Sequence, residues 1–173
     1  MRPFLILLTA IAVFPLVSAQ AGERGLMEMN ASIKVGQEAP PIETVDLDGQ
    51  EFSLESFRGR PIFIDFGSIL CEACADMALE INRLMKKYAN TDLEIAMIVE
   101  GSMPDNMTKD FFVRLKASFT VVRDADWSLF ETYGVTVVPF KVLIDRNGII
   151  KKMHLGFDKD IEKIMDFDGV LKE

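Results

Sequence analysis

Ile62-Phe-Ile-Asp-Phe-Gly-Ser-Ile-Leu-Cys71-Glu-Ala-Cys74, with the helical pattern that runs on to Tyr88, decides how this chain folds. Pro61 to Phe66 is apolar apart from Asp65, the composition of a strand buried on both faces. Gly67-Ser68 interrupts it. Cys74, Met77, Ile81, Leu84, Met85 and Tyr88 then share one helical face, and Glu80, Asn82, Arg83, Lys86 and Lys87 take the other. The order is strand, short loop, C-x-x-C, helix. A helix N-terminus carries unpaired N–H groups and about half a positive charge, which favour a thiolate. Cys71 would stand in that field near solvent and Cys74 one turn further in. That arrangement suits a nucleophilic thiol and a resolving thiol in disulfide exchange.

Working outward, Leu93–Val99 and Phe119–Val122 read as strands, with a helix over Met107–Lys116 that turns Met107, Phe111 and Leu115 inward. Ser128–Tyr133 is a short helix closed by Gly134. Phe140–Ile144 and Ile149–Leu155 form a hairpin around Asp145-Arg-Asn-Gly148. Asp158–Met165 is the closing helix, with Ile161, Ile164 and Met165 inward. Upstream, Ile42–Val45 and Glu51–Phe52 flank Asp48-Gly49, a hairpin signal, and Ser53 begins an N-capped turn. Alternating strands and helices followed by a hairpin and helix predict an α/β sandwich with a mixed central sheet and an N-terminal β-hairpin.

Met1 to Ala21 stands apart. Arg2, the apolar run Phe4–Val17 and Ala19-Gln-Ala21 have the form of a secretory signal peptide, with an uncleaved anchor as the alternative. Residues 22–34 read as a polar linker and 35–173 as one domain. The chain holds 27 acidic residues against 19 basic ones, and the leader holds only Arg2 among them. An acidic surface argues against nucleic acid and against electrostatic attachment to anionic lipid. The only two cysteines, Cys71 and Cys74, would close a very small loop, which adds little stability compared with a long one. Redox chemistry is therefore the better reason for the pair. A zinc site needs four ligands, and His154 is the only histidine, so no metal or other cofactor is expected.

Taken in order, Val35-Gly36-Gln37-Glu38-Ala39-Pro40, Ile64-Asp65-Phe66, Cys71-Glu-Ala-Cys74, Val137-Val138-Pro139 and Leu143-Ile-Asp-Arg-Asn-Gly148 resemble the thioredoxin superfamily, in particular its extracytoplasmic TlpA/ResA-like thiol–disulfide oxidoreductases. The likeness covers about Val35 to Phe157 and implies a thioredoxin-like three-layer sandwich. It implies that Asp65 lies beneath Cys74 and accepts its proton, although many TlpA/ResA-like proteins carry Asn there. It also implies that Val138-Pro139 is a cis peptide facing the dithiol, with the Val138 backbone pairing with substrate.

Glu72, also found in ResA-like motifs, would oppose a Cys71 thiolate and make the pair a better reductant; a plain solvated first-turn acid is the other reading. Leu70 stands where the family usually has Trp, Ala73 where ResA-like motifs have Pro, and Met77 where they have Glu. The expected function is a periplasmic or otherwise extracytoplasmic oxidoreductase acting on protein disulfides, with a membrane thiol electron donor and cytochrome c maturation as one setting. The alternative is a redox-inactive binding protein of the same fold whose disulfide stays closed. A monomer is expected. Removing Asp65 as a lone buried acid is expected to raise stability by ~1–3 kcal/mol.

Overall fold

The structure, a computed structural model, describes residues 32–173. The leader and all but the last three residues of the expected linker lie outside them. Five strands form the central sheet in the order β5-β4-β3-β6-β7. They are β3 (Ile62–Gly67), β4 (Glu94–Glu100), β5 (Thr120–Asp124), β6 (Phe140–Ile144) and β7 (Ile150–Leu155). The first three are mutually parallel, and β6 and β7 run antiparallel to their neighbours. A separate hairpin, β1 (Glu43–Val45) and β2 (Glu51–Ser53), leans on the β5 edge through an Asp46–Val122 bridge.

β3 is buried along its whole length because helices cover both faces of the sheet. On one face lie α1 (Glu72–Lys87), α4 (Ile161–Met165) and α5 (Phe167–Val170), packed on Phe63, Ile95, Met97 and Leu143. On the other, α3 (Ser128–Tyr133) and the hairpin pack on Ile62, Ile64, Phe66 and Val142. Phe66 stacks edge-to-face on Phe130 at 5.4 Å, and the Tyr133 hydroxyl donates to the Pro40 carbonyl at 2.7 Å. This is the expected three-layer sandwich.

α1 forms where the apolar spacing put it. Met77, Ile81 and Leu84 are fully enclosed, each worth about 1.5–3 kcal/mol of burial. Lys86 and Lys87 complement the C-terminal end of its dipole.

Three expectations need correction. α2 (Asp105–Arg114) buries Thr108 and Phe112, whereas Met107 is 48% exposed. The helix starts two residues earlier than expected and presents a face rotated by one residue, with Phe111 and Leu115 only at its margin. The closing helix begins at Ile161 and leaves Ile164 half-buried. Asp166 then takes a left-handed φ of 57°, breaks the helix and lets α5 bring Phe167 and Val170 inward. Ser53 does not cap the turn at Leu54–Phe57 with its side chain; the Ser56 hydroxyl donates back to the Ser53 carbonyl instead. At the other boundary Ile33 is 2% exposed, so core packing already includes it.

Candidate active site

The site grows from the C-terminal end of β3. After Gly67 the chain turns through Ser68–Leu70 and enters α1 with Cys71 as N-cap. The Cys71 sulfur accepts the Cys74 backbone N–H at 3.2 Å, taking up one of the donors the first turn leaves free. The same donor and the helix dipole would stabilise a thiolate there. Cys71 and Cys74 form a disulfide with 5.2 Å between Cα atoms, so this is the oxidised state. Cys71 is half-buried, and Cys74 is 1% exposed beneath it. The two sulfurs are unequal in access, as their positions in the sequence imply.

The loop is held from below by a residue the sequence reading missed. Glu100, buried at the end of β4, accepts from the Ser68 hydroxyl at 2.6 Å and from the Ser102 N–H at 2.5 Å. Ser68 Oγ in turn accepts the Leu70 N–H at 3.1 Å. Burial pushes the Glu100 carboxyl up, but its Ser102 and Ser68 donors and nearby Arg123 outweigh that and leave it below the usual range. Leu70 is 65% exposed beside the dithiol and Val137 54% exposed beside Val138, so the rim is apolar without being aromatic. Val138-Pro139 is cis, and Val138 and Cys71 both sit at the margin of the cluster that contains Cys74. Glu72 is exposed in the first turn of α1.

Asp65 lies under this surface with no solvent exposure. A Cβ built on Gly67 would lie 3.5 Å from Cys74 Cβ and 3.7 Å from Asp65 Oδ2. The missing side chain therefore marks a position bordered by both the Cys74 side chain and the Asp65 carboxylate, where the Met97 methyl now packs. Among the described residues neither Asp65 oxygen has a hydrogen-bond partner. The charged group beside it is Lys141, its cross-strand neighbour on β6, with Nζ 3.6 Å from Oδ1 and no exposure either. At 3.6 Å this is an ion pair rather than a hydrogen bond; the ammonium donates to the Gly156 carbonyl. Burial pushes the Asp65 carboxyl up to about 7, against the pull of Lys141. Burial likewise draws the Lys141 ammonium below the usual lysine range, against the pull of Asp65.

Lys141 was missed, yet its signal was present: one lysine inside Phe-Lys-Val-Leu-Ile, as Asp65 is one acid inside its own apolar strand. His154 pairs with Lys141 from β7 and is half-buried. Among the described residues no group of three or more His, Cys, Asp and Glu side chains is placed to hold a metal ion.

A C-x-x-C disulfide capping a helix of a three-layer α/β sandwich, with a cis-proline just ahead of β6, defines a thioredoxin-superfamily thiol–disulfide oxidoreductase. The Redoxin family profile matches residues 34–171, and the chain belongs to that family. The chain is ResA-like. It is 32% identical over 125 residues to the thiol-disulfide oxidoreductase ResA of Geobacillus thermodenitrificans, covering 72% of this chain and 71% of that one. To ResA of Bacillus cereus it is 29% identical, covering 72% of each. In fold it is similar to a putative thiol:disulfide interchange protein DsbE from Chlorobium tepidum. That match has a TM-score of 0.74 and 24% identity, over 80% of this chain and 99% of that one.

Proposed function

We propose that the chain works outside the cytoplasm as a reductant of protein disulfides. Residues 1–21 export or anchor it, 22–34 tether it as far as Ile33, which already packs in the core, and 35–173 act as a monomeric redox domain. The observation that carries this reading is the unequal access of Cys71 and Cys74 at the N-terminus of α1. The Cys71 thiolate attacks one sulfur of the partner disulfide, that S–S bond breaks, and the partner's other sulfur leaves as a thiolate. Asp65 takes the Cys74 proton, and Cys74 then attacks the Cys71 sulfur. The partner departs as a dithiol, and the Cys71–Cys74 disulfide seen here is left behind.

The Val138 backbone, outside the β6 ladder and next to cis-Pro139, holds the partner's extended chain. Glu72 disfavours the thiolate and keeps the pair reducing. A membrane thiol carrier returns the two electrons. ResA-type relatives make the haem-binding cysteines of apocytochrome c a substrate to test first. The deciding experiment is reduction of a protein disulfide by the purified chain, together with its reduction potential. Turnover lost in Cys71→Ala supports the reading. A potential well below about −300 mV with no turnover supports the closed-disulfide binding protein instead.

A further inference from the structure

A lysine whose ammonium has no exposure cannot snorkel to water, so its charge acts entirely on what surrounds it. Lys141 reaches Asp65 from the next strand, in register and 3.6 Å away. The Gly156 carbonyl pins its ammonium from the other side. Asp65 has no hydrogen-bond donor among the described residues, and the neighbouring cation is what favours its ionised form. We propose that Lys141 is the positioning residue that sets the pH at which Asp65 can accept the Cys74 proton. This rests on the reading of Asp65 as that acceptor.

The arrangement accounts for both halves of the transfer. While Asp65 is a carboxylate, Lys141 is its counter-charge. When the Cys74 proton moves to it, Asp65 becomes neutral, Cys74 becomes the thiolate, and Lys141 keeps an acceptor in the Gly156 carbonyl. The electron pair of the Cys74 thiolate then forms the bond to the Cys71 sulfur, and the partner sulfur leaves with the pair from the bond that breaks. Without the fixed ammonium, a carboxyl enclosed among apolar groups would hold its proton at neutral pH and be unable to take another.

Among the described residues the groups facing this pair are few. α1 presents Cys74, β4 presents Met97, β7 presents His154, and the segment after β7 presents Asp158. Burial and the Lys141 charge hold His154 below the usual histidine range, against Asp158. His154 is thus neutral around pH 7 and leaves the Asp65–Lys141 balance intact there.

The test starts from a mixed disulfide preformed on Cys71 of the full-length protein, so that Cys71 no longer titrates. The rate of partner release is followed against pH in the wild type, Lys141→Met and Asp65→Asn. The wild type should show an ionisation limb set by Asp65, and Asp65→Asn should lose that limb and rise only at the higher pH where the Cys74 thiol ionises unaided. Lys141→Met should move the limb to higher pH by about one unit or more, making release about tenfold slower well below it, with the alkaline plateau recovered. A limb unmoved in Lys141→Met, or moved to lower pH, while Asp65→Asn lacks it, overturns the role of Lys141 and leaves that of Asp65 standing. A limb that stays at the wild-type pH in Asp65→Asn removes the Asp65 reading and this inference with it. If Lys141→Met does not fold, carbon-13 and nitrogen-15 titration of the reduced wild type decides. The Asp65 carboxyl and the Lys141 ammonium should respond with a shared midpoint, and an ammonium indifferent to the Asp65 titration overturns the proposal.

Discussion

Asp65 and Lys141 face each other across the β3–β6 ladder with 3.6 Å between carboxylate and ammonium, and neither side chain reaches solvent. This pair reverses an expectation drawn from Asp65 alone. Removing a lone buried acid relieves desolvation, but removing this one strands a buried cation. Asp65→Ala should therefore destabilise the domain, by about 3 kcal/mol on the scale of broken buried pairs. Replacing both partners, as in Asp65→Leu with Lys141→Met, should be neutral or stabilising by about 1–4 kcal/mol. Urea denaturation of the three proteins measures both effects, and a single variant as stable as the double one would contradict the pairing.

The same pair gives stability a pH dependence with a definite sign. Burial raises the Asp65 carboxyl from its usual 3.8 to about 7, so the folded state binds the extra proton. Stability from this group is full when the carboxyl is protonated, falls as pH rises from about 4, and levels above about 7. The double variant should lack that fall. Denaturation midpoints of the two proteins should diverge between pH 5 and pH 7, with the wild type losing ground. A wild type that gains on the variant over this window would mean the Asp65 carboxyl is held low instead.

Gly67 tests the space between Asp65 and Cys74. A methyl group there would collide with the Met97 side chain and stand within 3.7 Å of both Cys74 Cβ and the Asp65 carboxylate. Gly67→Ala should cost about 1–3 kcal/mol through overpacking and slow partner release by more than it slows attack by Cys71. Equal slowing of both steps would reduce Gly67 to a packing position.

Glu100 and Ser68 fix the loop that carries the dithiol. Ser68→Ala removes the donor 2.6 Å from the Glu100 carboxylate and the acceptor of the Leu70 N–H. A loss of about 1–3 kcal/mol follows from leaving that buried carboxylate underbonded. Activity should fall while the reduction potential stays close to that of the wild type. Thermal denaturation and an equilibrium redox titration separate the two effects.

Much of this was legible because the decisive signals are local. An apolar run, a Gly-Ser break and a 3.6-residue apolar period place β3, the loop and α1 with little help from the rest of the chain. The unequal access of Cys71 and Cys74 followed from the same spacing. What escaped was set by tertiary contact. The α2 face turned by one residue because the sheet offers its room at Phe112, which periodicity over ten residues cannot fix. α5 depends on Asp166 accepting a left-handed backbone, a conformation with only a weak sequence signature. Lys141 was visible as a lone charge in an apolar strand, but its partner could be named only once β6 was known to pair with β3 in register.

The central claim is that the two cysteines have different tasks, and trapping measures it directly. Cys74→Ser, expressed with residues 1–31 intact, should accumulate mixed disulfides between Cys71 and its partners. Cys71→Ser should accumulate few, because Cys74 is enclosed with Met77 and Ile81. Non-reducing gels followed by mass spectrometry would count the adducts and identify the partners. Apocytochromes among them would support the maturation role, and a broad set would support a general reductase. Abundant adducts from Cys74→Ser alone are the predicted result. Equal trapping by both variants would contradict the assignment of nucleophile and resolver.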